Sequence, residues 1–340
     1  MDACPLFIFL FYDGISFIKK EIAATLLKYR AEESEEDRLG GIKIISFIKV
    51  KQKKVEILCK GNKGKTIIIL TGMGCSFDEW YNITEKLSET NRVVMFHRPG
   101  LGESEIGFDE TRNTKAVVDE LSELLTVLEI TEPIILVGHS YGGLCVQHFA
   151  KTYPHKVAGI VLVDSTSVDL QELDELDLDE DETDEIWLEK CKTYSLMEEE
   201  RLREIINPTL SEKLQPLPNE IQQRLLDFQI RPSLYKAMYS EISNWKKDAE
   251  MIKTIRNTIH VPLIVLGRDM EYCIQLGTQS GLSKEEIGIF EAKWKELIKR
   301  QAKLSNMSKI VFVKNASHSI HTDRPDMVIQ SILEIVNKET

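Results

Sequence analysis

Short, almost purely apolar runs recur along the chain: "TIIIL" at 66–70, "RVVMF" at 92–96, "PIILV" at 133–137, "AGIVLV" at 158–163, "VPLIVL" at 261–266 and "KIVFV" at 309–313. They are too short for helices and lack the apolar–polar alternation of a half-exposed strand. That is the pattern of strands buried on both faces. Between most of them the apolar residues switch to helical spacing, as Val117, Leu121, Leu124, Leu125 and Leu128 do within 113–129. Alternating buried strands and amphipathic helices predict an α/β fold, a mainly parallel sheet with helices on both faces. Two β-branched stretches ahead of this series, "IKIISFIKVK" and "KKVEILCKG", predict a hairpin or meander leading into the sheet.

The series is interrupted once at length. Between Val163 and Val261 no buried strand is legible, and the apolar residues (Leu170, Leu173, Leu176, Trp187, Leu188, Leu225, Phe228, Tyr235, Met238, Trp245) fall at helical spacing. A bare loop of that length is not expected in a compact domain, so residues 167–257 read as a helical cap inserted into a core of 41–166 and 258–340. A smaller helical insertion, "KEEIGIFEAKWKELIKRQAKL", separates the last two strands. Residues 1–40 form an extension whose positions 15–35 are helical in spacing.

Charge refines this outline. The 340 residues carry a net charge of −12 and are 42% apolar, enough for a sizeable core and too acidic for a nucleic-acid partner. Residues 169–200 hold fifteen Asp and Glu against two Lys, so that segment accounts for the whole imbalance. Its leucines keep helical spacing, which predicts a folded acidic helix beside the entrance to a site. The apolar stretch "PLFIFLFY" is too short to span a bilayer and reads as a buried or interfacial docking segment, without stable membrane insertion. The six cysteines form no CxxC pair and no zinc-ligand spacing, as expected of reduced thiols in a cytoplasmic protein. Nothing in the sequence fixes an oligomeric state.

The chemistry sits in "ILVGHSYGG", residues 135–143, where a buried strand runs into Gly138, His139, Ser140, Tyr141, Gly142 and Gly143. A sharp strand-to-helix turn strains its corner residue and leaves no room for side chains two positions to either side, hence glycine at both. The corner hydroxyl is pushed out at the carboxyl end of the sheet, with a helix N-terminus behind it to stabilise developing negative charge.

In this context the chain resembles the α/β-hydrolase superfamily, over roughly residues 42–166 and 258–337. The match is Gly138-His139-Ser140-Tyr141-Gly142 between strand and helix, "SHSIHTDRP" after the last strand, and "HRPGLGES" at 97–104. The resemblance implies a serine hydrolase acting on an ester or related acyl bond of a small molecule, with no cofactor or metal. The alternatives are a thioesterase, aminopeptidase, C–C hydrolase or acyltransferase on the same triad, or a non-catalytic receptor or signalling protein of the same fold. Ser140 would be the nucleophile and His318 the general base, with the amides of Met73 and Tyr141 as the oxyanion hole. Serine at the corner argues against the epoxide hydrolase and dehalogenase branches, which use aspartate there. The orienting acid is expected at Asp269, which ends the penultimate strand, with Asp164 on the preceding strand as the rival. Departures from the family pattern are His97 for an aspartate, Thr71 for a histidine and Ser317 for a glycine. The first leaves open what holds Arg98. His321 is expected to pack or to cap the helix begun at Asp323 and Pro325.

Overall fold

The computed structural model describes residues 45–176, 178 and 184–338. The expected extension over 1–40, with its apolar docking segment, lies outside these residues.

Among the described residues eight strands form one sheet: β1 (Ile45–Val50), β2 (Lys53–Lys60), β3 (Thr66–Leu70), β4 (Arg92–Phe96), β5 (Ile134–His139), β6 (Val157–Val163), β7 (Leu263–Gly267) and β8 (Ser308–Phe312). Their spatial order is β1-β2-β4-β3-β5-β6-β7-β8. The first two strands are the expected hairpin and join antiparallel. β2 also pairs antiparallel with β4, and every pairing from β4–β3 through β7–β8 is parallel. Each apolar run of the sequence is therefore a strand, and its side chains divide between the two faces. On β3, Ile68 and Leu70 enter one core cluster while Ile67 and Ile69 enter the other. β6 divides in the same way, with Ile160 and Leu162 against Val161 and Val163. Period-two alternation is invisible in such strands because both faces are apolar.

The helices cover both faces. α1 (Tyr81–Ser88) and the C-terminal helix Pro325–Lys338 pack into one cluster. α2 (Thr114–Val127) and α3 (Tyr141–Thr152) pack into the other. Asn113 starts α2 by accepting the Ala116 amide at 2.8 Å.

Among the described residues between β6 and β7 lie a short turn of helix at Leu170–Leu173 and four α-helices: α4 (Asp184–Tyr194), α5 (Glu199–Ile206), α6 (Asn219–Gln229) and α7 (Pro232–Thr254). Two further helices, α8 (Met270–Gln279) and α9 (Lys284–Gln301), separate β7 from β8. Buried charge ties the longer insertion to the sheet. Arg224 of α6 reaches Glu56 of β2 at 2.9 Å and Asp78 at 3.0 Å, and Asp248 of α7 accepts the Thr114 amide at 2.8 Å. The acidic stretch is engaged in the same manner. Asp174 and Asp184 share Lys246, Glu172 pairs with Lys293 and Arg300, and Asp169 pairs with Lys253. These carboxylates neutralise basic side chains of α7 and α9, a role the charge count does not reveal. Among the described residues no helix is long and apolar enough to cross a membrane.

Candidate active site

Register explains what gathers at the carboxyl end of the sheet. β5 and β6 pair with His139 opposite Val163, so the next residues, Ser140 and Asp164, leave the sheet side by side. Both have positive φ, 52° at Ser140 and 40° at Asp164. Few non-glycine residues adopt such angles, and it costs them on the order of 1–3 kcal/mol each. Ser140 caps α3 from this bent conformation, and its carbonyl accepts the amides of Gly143 at 2.9 Å and Thr166 at 3.1 Å. The flanking glycines are sterically required. A Cβ at Gly142 would lie 2.3 Å from the Leu70 carbonyl oxygen, and one at Gly138 would lie 2.6 Å from the Gly143 Cα. The loop after β3 presses against the corner as well: a Cβ at Gly72 would be 3.2 Å from that of Ser140. Met73, the next residue, is buried.

His318 approaches from the loop after β8. The ring of His139 donates Nε2–H to the His318 carbonyl at 3.1 Å, anchoring that loop to the serine corner. His318 Nδ1 lies 2.7 Å from Asp164 Oδ2. A carboxylate only accepts, so Nδ1 carries the proton and Nε2 keeps its lone pair for a base's work.

The expectation for Asp269 is corrected here. β6 and β7 pair with Val163 opposite Leu266, which sets Asp164 level with Gly267 and Asp269 two residues further out. Asp269 caps α8 instead, accepting the Glu271 amide at 3.2 Å and the Asn315 amide at 3.0 Å. Asp164, the rival, is the carboxylate that meets His318. It also accepts from the Trp294 indole at 3.0 Å and the Arg268 amide at 3.1 Å, and it faces the Arg268 guanidinium at 3.5 Å. Burial pushes its carboxyl up, but Arg268 and the His318 hydrogen bond outweigh burial and hold it below its ordinary value. For His318 burial prevails over the Asp164 carboxylate, and the imidazole stays below its ordinary value. Asp164 at 0%, Ser140 at 4% and His318 at 5% exposure are all buried.

The departures from the family pattern each have a structural use. His97 accepts the Phe77 amide on Nε2 at 3.1 Å, so its Nδ1–H donates to Glu56 at 2.7 Å. Arg98 is held by Glu241 of α7 at 2.8 Å, and it donates to the carbonyls of Thr71 at 2.9 Å and Gly72 at 3.0 Å. One buried guanidinium thereby links the loop after β3 to the long helix of the insertion. Ser317 donates its amide and hydroxyl to Asp323 at 2.6 Å each. Asp323 thus braces the histidine loop, not the start of the C-terminal helix. His321 packs, stacked on Trp80 with ring centroids 4.7 Å apart and its Nε2 3.1 Å from Glu79. Sequence reasoning missed Trp294, Arg268 and Glu241. The visible signal was a buried-type Trp on an amphipathic helix, "FEAKWKELI", with no indication of its partner.

The fold is the α/β-hydrolase fold. The family model described as alpha/beta hydrolase fold matches residues 65–194. The protein YqjL of Bacillus subtilis (strain 168) is 24% identical over 277 residues, 81% of this chain and 85% of YqjL. Other curated relatives align over far less of their length, as YbdG of the same organism does, at 26% identity over 35% of this chain and 37% of YbdG. Among solved structures, a thermophilic esterase from Thermogutta terrifontis superposes with a TM-score of 0.61 at 19% identity, over 87% of this chain and 98% of the esterase. The Cif epoxide hydrolase from Acinetobacter nosocomialis does so with a TM-score of 0.63 at 15% identity, over 86% of this chain and 88% of that enzyme. At these identities the likeness is one of fold.

Proposed function

We propose that the protein is a serine hydrolase that cleaves a carboxylic ester or related acyl bond. The observation that carries this reading is the set of contacts at the sheet's carboxyl end: a strained serine corner, a histidine loop whose backbone is tied to it through His139, and a buried carboxylate 2.7 Å from Nδ1 of that loop's imidazole. In this reading Ser140 Oγ attacks the acyl carbon while His318 Nε2 takes its proton. Asp164, not Asp269, keeps the imidazole in the required tautomer and balances its positive charge. The oxyanion is assigned to the amides of Tyr141, at the first turn of α3, and Met73, in the loop packed on Ser140. His318 then returns the proton to the leaving group and activates the water that releases the acyl-enzyme. The thermophilic esterase among the structural neighbours agrees with this reading.

A fluorophosphonate probe tests the nucleophile without knowledge of the substrate. Ser140 of the wild-type protein should label covalently, and Ser140→Ala should not. Turnover of an acyl ester should fall by about 10⁶-fold in the same variant. Equal labelling of the two proteins would remove Ser140 from the role. A series of acyl esters of increasing chain length would then define the acyl group.

A further inference from the structure

The carboxylate beside His318 does not rest on the elements that form the serine corner. Its second oxygen, Asp164 Oδ1, takes hydrogen bonds from the Trp294 indole N–H at 3.0 Å and the Arg268 amide at 3.1 Å. Trp294 belongs to α9, in the insertion between β7 and β8, and it stands edge-on to the His318 ring with centroids 5.7 Å apart. Arg268 lies over the indole face, 4.5 Å from its centroid. Its guanidinium is held by Glu291, one turn before Trp294 on the same helix, at 3.0 and 2.6 Å. All four side chains are buried. The helix thus provides a donor for the carboxylate and a countercharge for the cation beside it.

We propose that Trp294 and the Arg268–Glu291 pair are positioning residues for the candidate triad, fixing the rotation and charge of Asp164 and through it the basicity of His318. This inference rests on the serine-hydrolase reading and assigns its tuning to a helix outside the serine corner. The charged and titratable groups facing His318 are few enough to make the reasoning definite. Asp164 comes from the end of β6, Arg268 from the end of β7, Glu291 from α9 and His139 from β5. His321, with Glu79 behind it, comes from the segment after His318. Removing the indole donor leaves more of the Asp164 charge to act on the imidazole, and it frees the carboxylate to rotate. Neutralising Glu291 exposes the imidazole to more of the Arg268 charge.

The two changes therefore act on His318 in opposite senses. Trp294→Phe should raise the midpoint pH of fluorophosphonate labelling and slow labelling about tenfold, the scale of one hydrogen bond to a charged group. Glu291→Gln should lower the midpoint by a smaller amount, because burial raises the Glu291 carboxyl to about 7 and part of it is already protonated there. Labelling rates are measured against pH on the full-length protein, with thermal melts run beside them, and Ser140→Ala sets the background. Should Trp294→Phe fail to fold, Glu291→Gln carries the test. A folded variant whose labelling keeps the wild-type midpoint, whatever its rate, overturns the proposal, because a merely structural helix would slow labelling without moving the pH dependence. An absence of Ser140 labelling in the wild-type protein would instead refute the hydrolase reading itself.

Discussion

Replacing Asp164 by asparagine keeps the size of the side chain and removes its charge. In the native arrangement both carboxylate oxygens accept, Oδ2 from His318 and Oδ1 from Trp294 and the Arg268 amide. An asparagine can offer its single oxygen to one side only. Trp294 and the Arg268 amide are fixed donors that demand the oxygen, so the amide NH₂ is turned toward His318. The imidazole must then present Nδ1 as an acceptor, which moves its proton to Nε2 and leaves no base for the Ser140 hydroxyl. A wrong tautomer of this kind costs about 10⁴-fold in kcat, or roughly 5 kcal/mol of barrier at 1.36 kcal/mol per decade. Asp269→Asn is the matched control. Asp269 accepts backbone amides at a helix start, where asparagine serves about as well as aspartate, and its 3.6 Å pairing with the exposed Lys314 is worth little, so stability should change by less than about 1 kcal/mol. Activity should change little. The assay is hydrolysis of a chromogenic acyl ester by the two purified variants beside wild type. A larger loss in Asp269→Asn than in Asp164→Asn would refute the reasoning from register and hydrogen bonding.

Other consequences are accessible to simple measurements. With the His318 imidazole held below its ordinary value by burial, the acid limb of kcat/KM should have its midpoint below about pH 6.5, and a midpoint above 7 would contradict the burial argument. Glu241→Leu strands the Arg98 charge inside the protein, so urea unfolding should show a loss of about 3–5 kcal/mol, whereas a change under 1 kcal/mol would mean that water reaches that pair. Burial acts to raise the Glu56 carboxyl, but the His97 and Arg224 contacts outweigh it and lower the value from 4.5 to about 2. Its contribution is thus complete above pH 4.5 and lost as pH falls through about 2, a stabilisation of about 3 kcal/mol. Acid unfolding curves of wild type and Glu56→Gln should accordingly converge in that window.

Much of the architecture was readable because the strands are buried on both faces, and such runs stand out against any helix. The serine corner was readable because glycines at fixed offsets are a local steric demand. The choice between Asp164 and Asp269 was of another kind. Both close a buried strand, and the strands are neighbours, so sequence presents two equivalent carboxylates. What separates them is a register offset of two residues and a left-handed backbone at Asp164, neither of which is encoded locally. Trp294 and Glu241 were illegible for the same reason, since their partners lie 130 and 143 residues away along the chain. The partners of Asp169, Glu172, Asp174 and Asp184 were illegible as well, because a charge count cannot report that Lys253, Lys293, Arg300 and Lys246 meet those carboxylates.

The two positive-φ residues at adjoining strand ends carry a consequence for how this sequence could change. Ser140 and Asp164 hold conformations that glycine would adopt freely, so each position stores strain that a single substitution could release. Selection for heat resistance alone would reward glycine at 140, where on the hydrolase reading it would discard the chemistry in the same step, but not at 164, where glycine would leave the buried Trp294 and Arg268 donors without their acceptor. The most stable descendants of this protein and its most active ones should therefore separate first at residue 140.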